Sequence, residues 1–161
     1  MENLEIKKIY SLHIFATEKH RWNVKAPRQG CYFTYQKSGT YKHIFKNKEL
    51  TASAGTILFI NNKESYGVVG KNGGEAICAV IEIENAPESF VFDTGDDKSF
   101  IKLFNSLLLL SDTSIASNRF MAMGILYELF GKIFKEKEKK IISSASQFTA
   151  ENTCRYIHKH Y

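Results

Sequence analysis

The sequence predicts an α+β protein in which an antiparallel β-domain comes first and helices follow. Over residues 4–92 apolar residues alternate with polar ones, and after residue 95 they recur at helical spacing. Turn signals in the first part of the chain are about 8–10 residues apart, which is typical of an antiparallel sandwich or barrel. These observations together place the β-domain before the helices.

The predicted strands are separated by short turns that contain Gly, Asn, Ser or Lys. They cover residues 4–14, 31–36, 41–45, 56–60, 65–69 and 75–83. The strand at 56–60 is apolar on both faces, which is typical of a central strand. Cys31 and Cys78 lie in apolar strand segments, so we expect them to fill the core as reduced thiols and not to act as nucleophiles.

Helical spacing begins after Gly95, where Asp96, Asp97 or Ser99 can cap a first helix. Residues 111–114 break this helix and begin a second one. Two adjacent apolar rows run along the second helix, and together they are wider than one packing contact needs. One row can pack on the β-domain, and the other needs a second partner, which is either the first helix or another subunit. For the second case we predict a dimer interface formed by Met123, Leu126, Tyr127, Phe130 and Ile133.

The chain is predicted to have four segments. Residues 1–95 form the β-domain, 96–140 a helical packing and dimerisation segment, 141–148 a Ser-rich linker, and 149–161 the start of a third helix. The third helix places Thr153, Tyr156, Ile157 and Tyr161 on one face. A helix this short is not stable alone, so we expect the chain to be cut just inside a further domain.

Composition excludes several classes of protein. Of the 161 residues, 43% are hydrophobic and 24% are charged, which excludes global disorder. No apolar run approaches the roughly 20 residues of a membrane span, and no secretory signal follows Met1. We therefore expect a cytoplasmic protein with no membrane partner. The net charge of +5 is only weak support for binding to nucleic acid.

The order of the elements and several local motifs resemble the N-terminal half of AraC-type transcription regulators. Trp22 precedes Pro27-Arg28, and residues 50–60 resemble the family segment that ends in an apolar strand, with Ala54 and Thr56 in place of the usual Pro and Asp. Residues 64–67 occupy the place where many members carry His-Tyr. Residues 151–161 look like the first helix of the family's DNA-binding domain.

The resemblance implies a cupin-like barrel, which is a double-stranded β-helix, followed by two packing helices and the start of a third. It implies a small-molecule effector in the barrel, a homodimer, and operator DNA bound only through a missing C-terminal helix-turn-helix domain. By position, Gln36, Tyr66 and Cys78 resemble inward-facing family positions that contact the effector, and Val80 continues the face of Cys78 by alternation. Trp22 could stack on a ring of the ligand, or could instead cap a strand in the core. We expect these five residues to contact the effector. Tyr66 and Cys78 could instead simply fill the barrel.

Enzymatic cupins are similar to this barrel and bind metal through His-x-His, a Glu and a later His. Here His43 is present, but Phe45 stands where the second His would fall and Ser65 replaces a plausible later one. We therefore expect no catalytic residue, no metal and no cofactor. Two alternatives stay open: a small metal-dependent cupin enzyme, such as an isomerase or dioxygenase, and a stand-alone carbohydrate-binding barrel.

Overall fold

The computed structural model describes residues 3–160, with the backbone alone for 149–154 and 156–160. It contains nine strands and two helices in this part of the chain, and every strand pair is antiparallel. The predicted α+β class and the order of strands before helices are confirmed. The chain divides into two compact units, residues 1–125 and 126–161, and each is described by itself.

The strands of the first unit form two sheets. In chain order they are β1 Glu5–Thr17, β2 Arg21–Val24, β3 Cys31–Ser38, β4 Thr40–Ile44, β5 Glu49–Ser53, β6 Thr56–Ile60, β7 Tyr66–Gly70, β8 Gly74–Glu84 and β9 Phe90–Asp93. The five-stranded sheet has the order β1-β8-β3-β6-β9, and the four-stranded sheet has the order β2-β7-β4-β5. The alternation pattern does not predict β2, β5 and β9 as strands of their own. All three are short and lie at sheet edges.

Strand β6 confirms the prediction of a central strand, because all five of its residues are buried and it pairs with both β3 and β9. The side chains on its two faces pack against different parts of the first unit. Leu58 and Ile60 belong to a cluster that includes Tyr66 and Val68 of the other sheet. Phe59 faces the opposite way and contacts Phe33 and Phe90.

The outer face of the five-stranded sheet is covered by α1, Ser99–Leu109. Phe104 is fully buried there, with its ring centroid 5.4 Å from that of Phe33 and 5.6 Å from that of Tyr35. The carboxylate of Asp97 accepts a hydrogen bond of 2.8 Å from the backbone N–H of Ser99, at the beginning of the helix. The outer face of the five-stranded sheet and α1 therefore form one hydrophobic layer. The inner face of this sheet packs in a second layer with residues of the four-stranded sheet.

The second helix, α2, runs from Ala116 to His160 without interruption. The predicted break at 111–114 is present, with Asp112 accepting a hydrogen bond of 3.2 Å from the N–H of Ser114. Residues 141–148, predicted as a linker, instead continue the helix. They contain no Gly or Pro, and the hydroxyls of Ser143 and Ser144 bond back to the carbonyl of Lys140. A separate third helix is therefore not formed.

The predicted face of Thr153, Tyr156, Ile157 and Tyr161 lies outside the described residues. Within the part of the chain that is described, neither helix combines the length and the apolar composition that crossing a bilayer requires.

Candidate functional site

A cavity of about 370 Å³ lies between the two sheets of the first unit. Its walls come from β1, β3, β6 and β8 on one side and from β2, β4 and β7 on the other. Because side chains alternate along a strand, every second residue of each strand faces the cavity. This volume falls in the range of small-molecule sites.

All five residues predicted to contact an effector line this cavity: Trp22, Gln36, Tyr66, Cys78 and Val80. They come from four strands in both sheets, so tertiary pairing brings them together. Their contact with a ligand remains a prediction.

Other residues that line the cavity were not predicted from the sequence, and the alternation of side chains along a strand could have identified some of them. Stepping by two from Gln36 gives Thr34 and Tyr32, and stepping back from Cys78 gives Ala76; all three line the cavity. No sequence signal placed His13 and Phe15 there, because β1 carries register irregularities that shift its alternation before it reaches them.

Three polar side chains in the wall are already hydrogen-bonded to backbone carbonyls. The amide of Gln36 donates to the carbonyls of Ser38 at 2.5 Å and Glu75 at 3.4 Å. The hydroxyl of Tyr41 donates to the carbonyl of Thr17 at 3.1 Å. The hydroxyl of Thr34 likewise donates to the carbonyl of Leu58 at 3.4 Å. These groups stabilise the wall and have little capacity left to donate to a ligand.

Tyr66 and Cys78 differ, because within residues 3–160 neither the hydroxyl nor the thiol makes a hydrogen bond. Burial raises the pKa of the Tyr66 hydroxyl above its ordinary value, and burial raises the pKa of the Cys78 thiol to about 12. Both groups are therefore neutral at physiological pH. A thiol held in this form is a poor nucleophile, so the cavity offers no Cys-based chemistry.

His43 lies on the inner face of β4 and is only 7% exposed. Its Nδ1 is buried and has no hydrogen-bond partner in the described part of the chain. Burial lowers the pKa of His43 to about 4, so the ring is uncharged at neutral pH. No group of three His, Cys, Asp or Glu side chains suited to a metal occurs among the described residues, and Phe45 is buried beside Tyr66, with ring centroids 5.4 Å apart.

Arg28 bridges the two sheets beside the cavity. Its guanidinium carbon lies 5.2 Å from the ring centroids of both Tyr32, on β3, and Tyr66, on β7. The guanidinium donates to the carbonyl of Asn61 at 2.6 Å and to that of Glu64 at 2.8 Å. The positive charge of Arg28 therefore already contacts carbonyl oxygens and aromatic rings of the protein.

Aromatic rings mark the rim of the cavity, between the edge strands β1 and β2. Phe15 is 44% exposed and its ring centroid lies 6.4 Å from that of Trp22, which in turn meets Tyr41 edge-on at 5.7 Å. A Cβ on Gly70 would lie 2.6 Å from the Tyr41 ring, so only glycine leaves room for this ring. The rim thus combines exposed and packed aromatic side chains.

The five residues predicted to form a dimer interface differ in exposure. In the second unit Leu126, Phe130 and Ile133 are buried within the single chain, whereas Tyr127 is 42% exposed. Met123, in the first unit, is half-buried. The role of these residues in a dimer is still a prediction, and Tyr127 is the most exposed of them.

Comparison with known proteins gives structural matches only. No protein-family profile matches the chain, and no curated protein sequence matches it. Several solved structures share its fold. Wild-type ToxT from Vibrio cholerae strain SCE256, bound to an unsaturated fatty acid, matches with a TM-score of 0.58 at 11% identity over 82% of this chain.

A second ToxT structure, from Vibrio cholerae O395 bound to (E)-4-(8-methylnaphthalen-1-yl)but-3-enoic acid, matches with a TM-score of 0.56 at 11% identity over 80% of this chain. The matches cover 57% and 58% of the two ToxT chains, so this chain spans somewhat more than half of their length. At this identity the likeness establishes a shared fold.

Proposed function

We propose that this chain is the effector-sensing and dimerisation part of an AraC-type transcription regulator. A small molecule binds in the cavity between the sheets, which have a cupin-like arrangement, and modulates operator binding by a helix-turn-helix domain outside residues 1–161. The protein acts in the cytoplasm as a non-enzymatic homodimer. Residues 1–95 supply the sensor, and the helical residues from 96 onward supply packing and dimer contacts.

One observation carries this proposal: the cavity of about 370 Å³ is lined mainly by apolar and aromatic side chains, with a few polar groups. That composition is typical of small-molecule sites. Its titratable side chains with resolved pKa shifts, Tyr41, His43, Tyr66 and Cys78, are all held in the uncharged state. Such a set suits recognition of a ligand better than proton transfer at neutral pH.

The fold supports the same proposal. ToxT is an AraC-family regulator, and two of its solved structures contain an unsaturated fatty acid or a naphthyl-substituted acid. The local motifs around Trp22 and residues 50–67 support membership of that family independently of the fold. Sensing of a hydrophobic small molecule by this chain is consistent with both lines of support.

Two experiments test the proposal. Reading the coding sequence beyond residue 161 tests the regulatory part: in-frame helix-turn-helix units support it, and a stop codon directly after Tyr161 would overturn it. A thermal-shift screen of hydrophobic small molecules tests the sensor part. Hits should lose their effect in Ala76→Phe, which fills the cavity, and keep it in Ala16→Phe, a matched change at an exposed position of β1.

A further inference from the structure

We infer that the cavity selects uncharged, largely apolar ligands that carry one acceptor oxygen, which receives a hydrogen bond from the hydroxyl of Tyr66. This inference rests on the proposed function, since it names the class of molecule that the sensor binds. It concerns the difference between a neutral ligand and a carboxylate of the same shape.

The absence of formal charge among the described wall residues disfavours a carboxylate. Among the described residues that line the cavity there is no Lys, Arg, Asp or Glu. His43 is neutral because it is buried. The other histidine of the wall, His13, is exposed at the rim, where its Nδ1 lies 3.2 Å from the hydroxyl of Ser11. A charge at the rim is screened by water and gives little to a buried anion.

Arg28 lies against two tyrosine rings of the wall, but its guanidinium is already bound within the protein. It does not line the cavity, and two backbone carbonyls and two tyrosine rings already occupy its guanidinium. Moving it toward a ligand would leave the carbonyls of Asn61 and Glu64 without their charged donor. A ligand carboxylate in this cavity would thus be buried without a paired cation, which is strongly unfavourable.

Three polar side chains of the wall already use their hydrogen-bond donors within the protein. Gln36, Tyr41 and Thr34 donate to backbone carbonyls. The hydroxyl of Tyr66 makes no such bond within residues 3–160, although the residue is only 7% exposed and its side chain lines the cavity. The Tyr66 hydroxyl is not among the fully enclosed polar atoms that lack a partner, so it can donate to an acceptor oxygen on a ligand in the cavity.

One neutral hydroxyl can satisfy one acceptor, such as the oxygen of an alcohol, a ketone or an ester. A carboxylate needs several donors or a cation to replace the water it loses. Tyr66 can donate one hydrogen bond, no cation lines the cavity beside it, and the weak thiol donor of Cys78 adds little. The apolar body of the ligand would lie among Trp22, Tyr32 and Val68, which give it aromatic and aliphatic contacts.

Two matched pairs of probes test this selectivity: decanol with decanoate, and naphthylethanol with naphthylacetate. Trp22 is the single tryptophan of the chain and lines the cavity, so its fluorescence reports occupancy directly. Titrations of the full chain at pH 8, repeated by calorimetry, compare the two members of each pair. We expect each alcohol to bind at least tenfold more tightly than its acid.

Variants identify the residue responsible. Tyr66→Phe keeps the ring and removes the hydroxyl, and we expect it to weaken alcohol binding about fivefold, the effect of one hydrogen bond. The matched control is Tyr35→Phe, which should leave alcohol binding unchanged because Tyr35 faces α1 on the outer side of the five-stranded sheet. Arg28→Met tests whether the neighbouring cation contributes to binding of the acids.

The outcomes separate the two proposals. Tighter binding of the alcohols, reduced by Tyr66→Phe alone, supports the inference. Equal or tighter binding of the acids, lost in Arg28→Met, would overturn the inference while the sensor function stands. Equal effects of Tyr66→Phe and Tyr35→Phe would overturn the role of the hydroxyl. Failure of every probe, neutral or acidic, to change Trp22 fluorescence or release heat would count against both the inference and the sensor function.

Discussion

The guanidinium carbon of Arg28 lies 5.2 Å from the ring centroid of Tyr66. Arg28 stands in the segment before β3, and Tyr66 begins β7. The same guanidinium lies equally close to Tyr32 on the other sheet. One charged side chain therefore ties both sheets together at one end of the cavity, where the Tyr66 ring also meets His43.

Replacement of Arg28 by alanine should destabilise the first unit. It removes two charge-assisted hydrogen bonds to carbonyls and two ring contacts. Loss of the buried, unpaired Nε offsets part of this, so we expect a decrease of about 2 kcal/mol in the free energy of unfolding, measured by urea denaturation. Arg21→Ala, at an exposed position of β2, is the control. Equal stability of the two variants would contradict this role of Arg28.

Acidification should destabilise the protein through His43. Its pKa is lowered from 6.5 to about 4 in the folded state, so between these values the unfolded chain binds a proton that the folded chain does not. Stability therefore falls as the pH decreases through this window. We expect a loss of about 2 kcal/mol between pH 7.5 and pH 5, measured by urea denaturation at both values.

The variant His43→Leu should lose this pH dependence, because nothing titrates at position 43. His20→Gln, at an exposed position, should retain it. Titration of Glu64 does not account for a loss of stability between pH 7.5 and pH 5. Burial alone would raise its pKa, but hydrogen bonds from Ser89 and the nearby Lys48 outweigh burial and hold the pKa below the usual value, so its contribution is lost only at lower pH. An unchanged slope in His43→Leu would refute the assignment.

Gly70→Ala should destabilise the four-stranded sheet by roughly 1–3 kcal/mol, because the added Cβ would lie 2.6 Å from the ring of Tyr41. Displacement of Tyr41 should also change the emission of Trp22, whose ring meets it at 5.7 Å. Gly124→Ala is the matched control. Its Cβ meets nothing within 4 Å, and the residue is helical, so we expect a gain of about 0.5–1 kcal/mol. Both changes are measurable by thermal denaturation with fluorescence detection.

Dimerisation is tested best at Tyr127, which is 42% exposed. Tyr127→Glu should lower the dimer affinity, measured by sedimentation equilibrium, with little effect on the melting temperature. The control Leu109→Glu, at a residue 84% exposed on α1, should leave the dimer intact. Leu126→Glu instead should unfold the protein, because it buries a charge at a fully enclosed position. A wild-type chain that stays monomeric at high concentration would refute the proposal of a dimer.

Local pattern was enough to predict the elements whose residues repeat clearly. The apolar run of β6 and the spacing of Phe100, Phe104 and Leu107 on α1 are examples. The prediction of a linker at 141–148 was wrong. Its Ser residues suggested a break, but serine hydroxyls can bond back to helix carbonyls and leave the helix intact. The short strands β2, β5 and β9 depend on neighbours that are distant in sequence, so local pattern could not define them.

What the sequence by itself determined is the α+β class, the order of strands and helices, and, through its resemblance to known regulators, five of the side chains that line the cavity. Which residues share a strand face follows from alternation alone. Only the tertiary structure decided that Trp22 meets Tyr41, that Arg28 lies between two tyrosines, and that His43 is uncharged. These properties depend on burial and on pairings between distant strands, because both the hydrogen bonds of a sheet and the loss of water around a side chain are set by neighbours far along the chain.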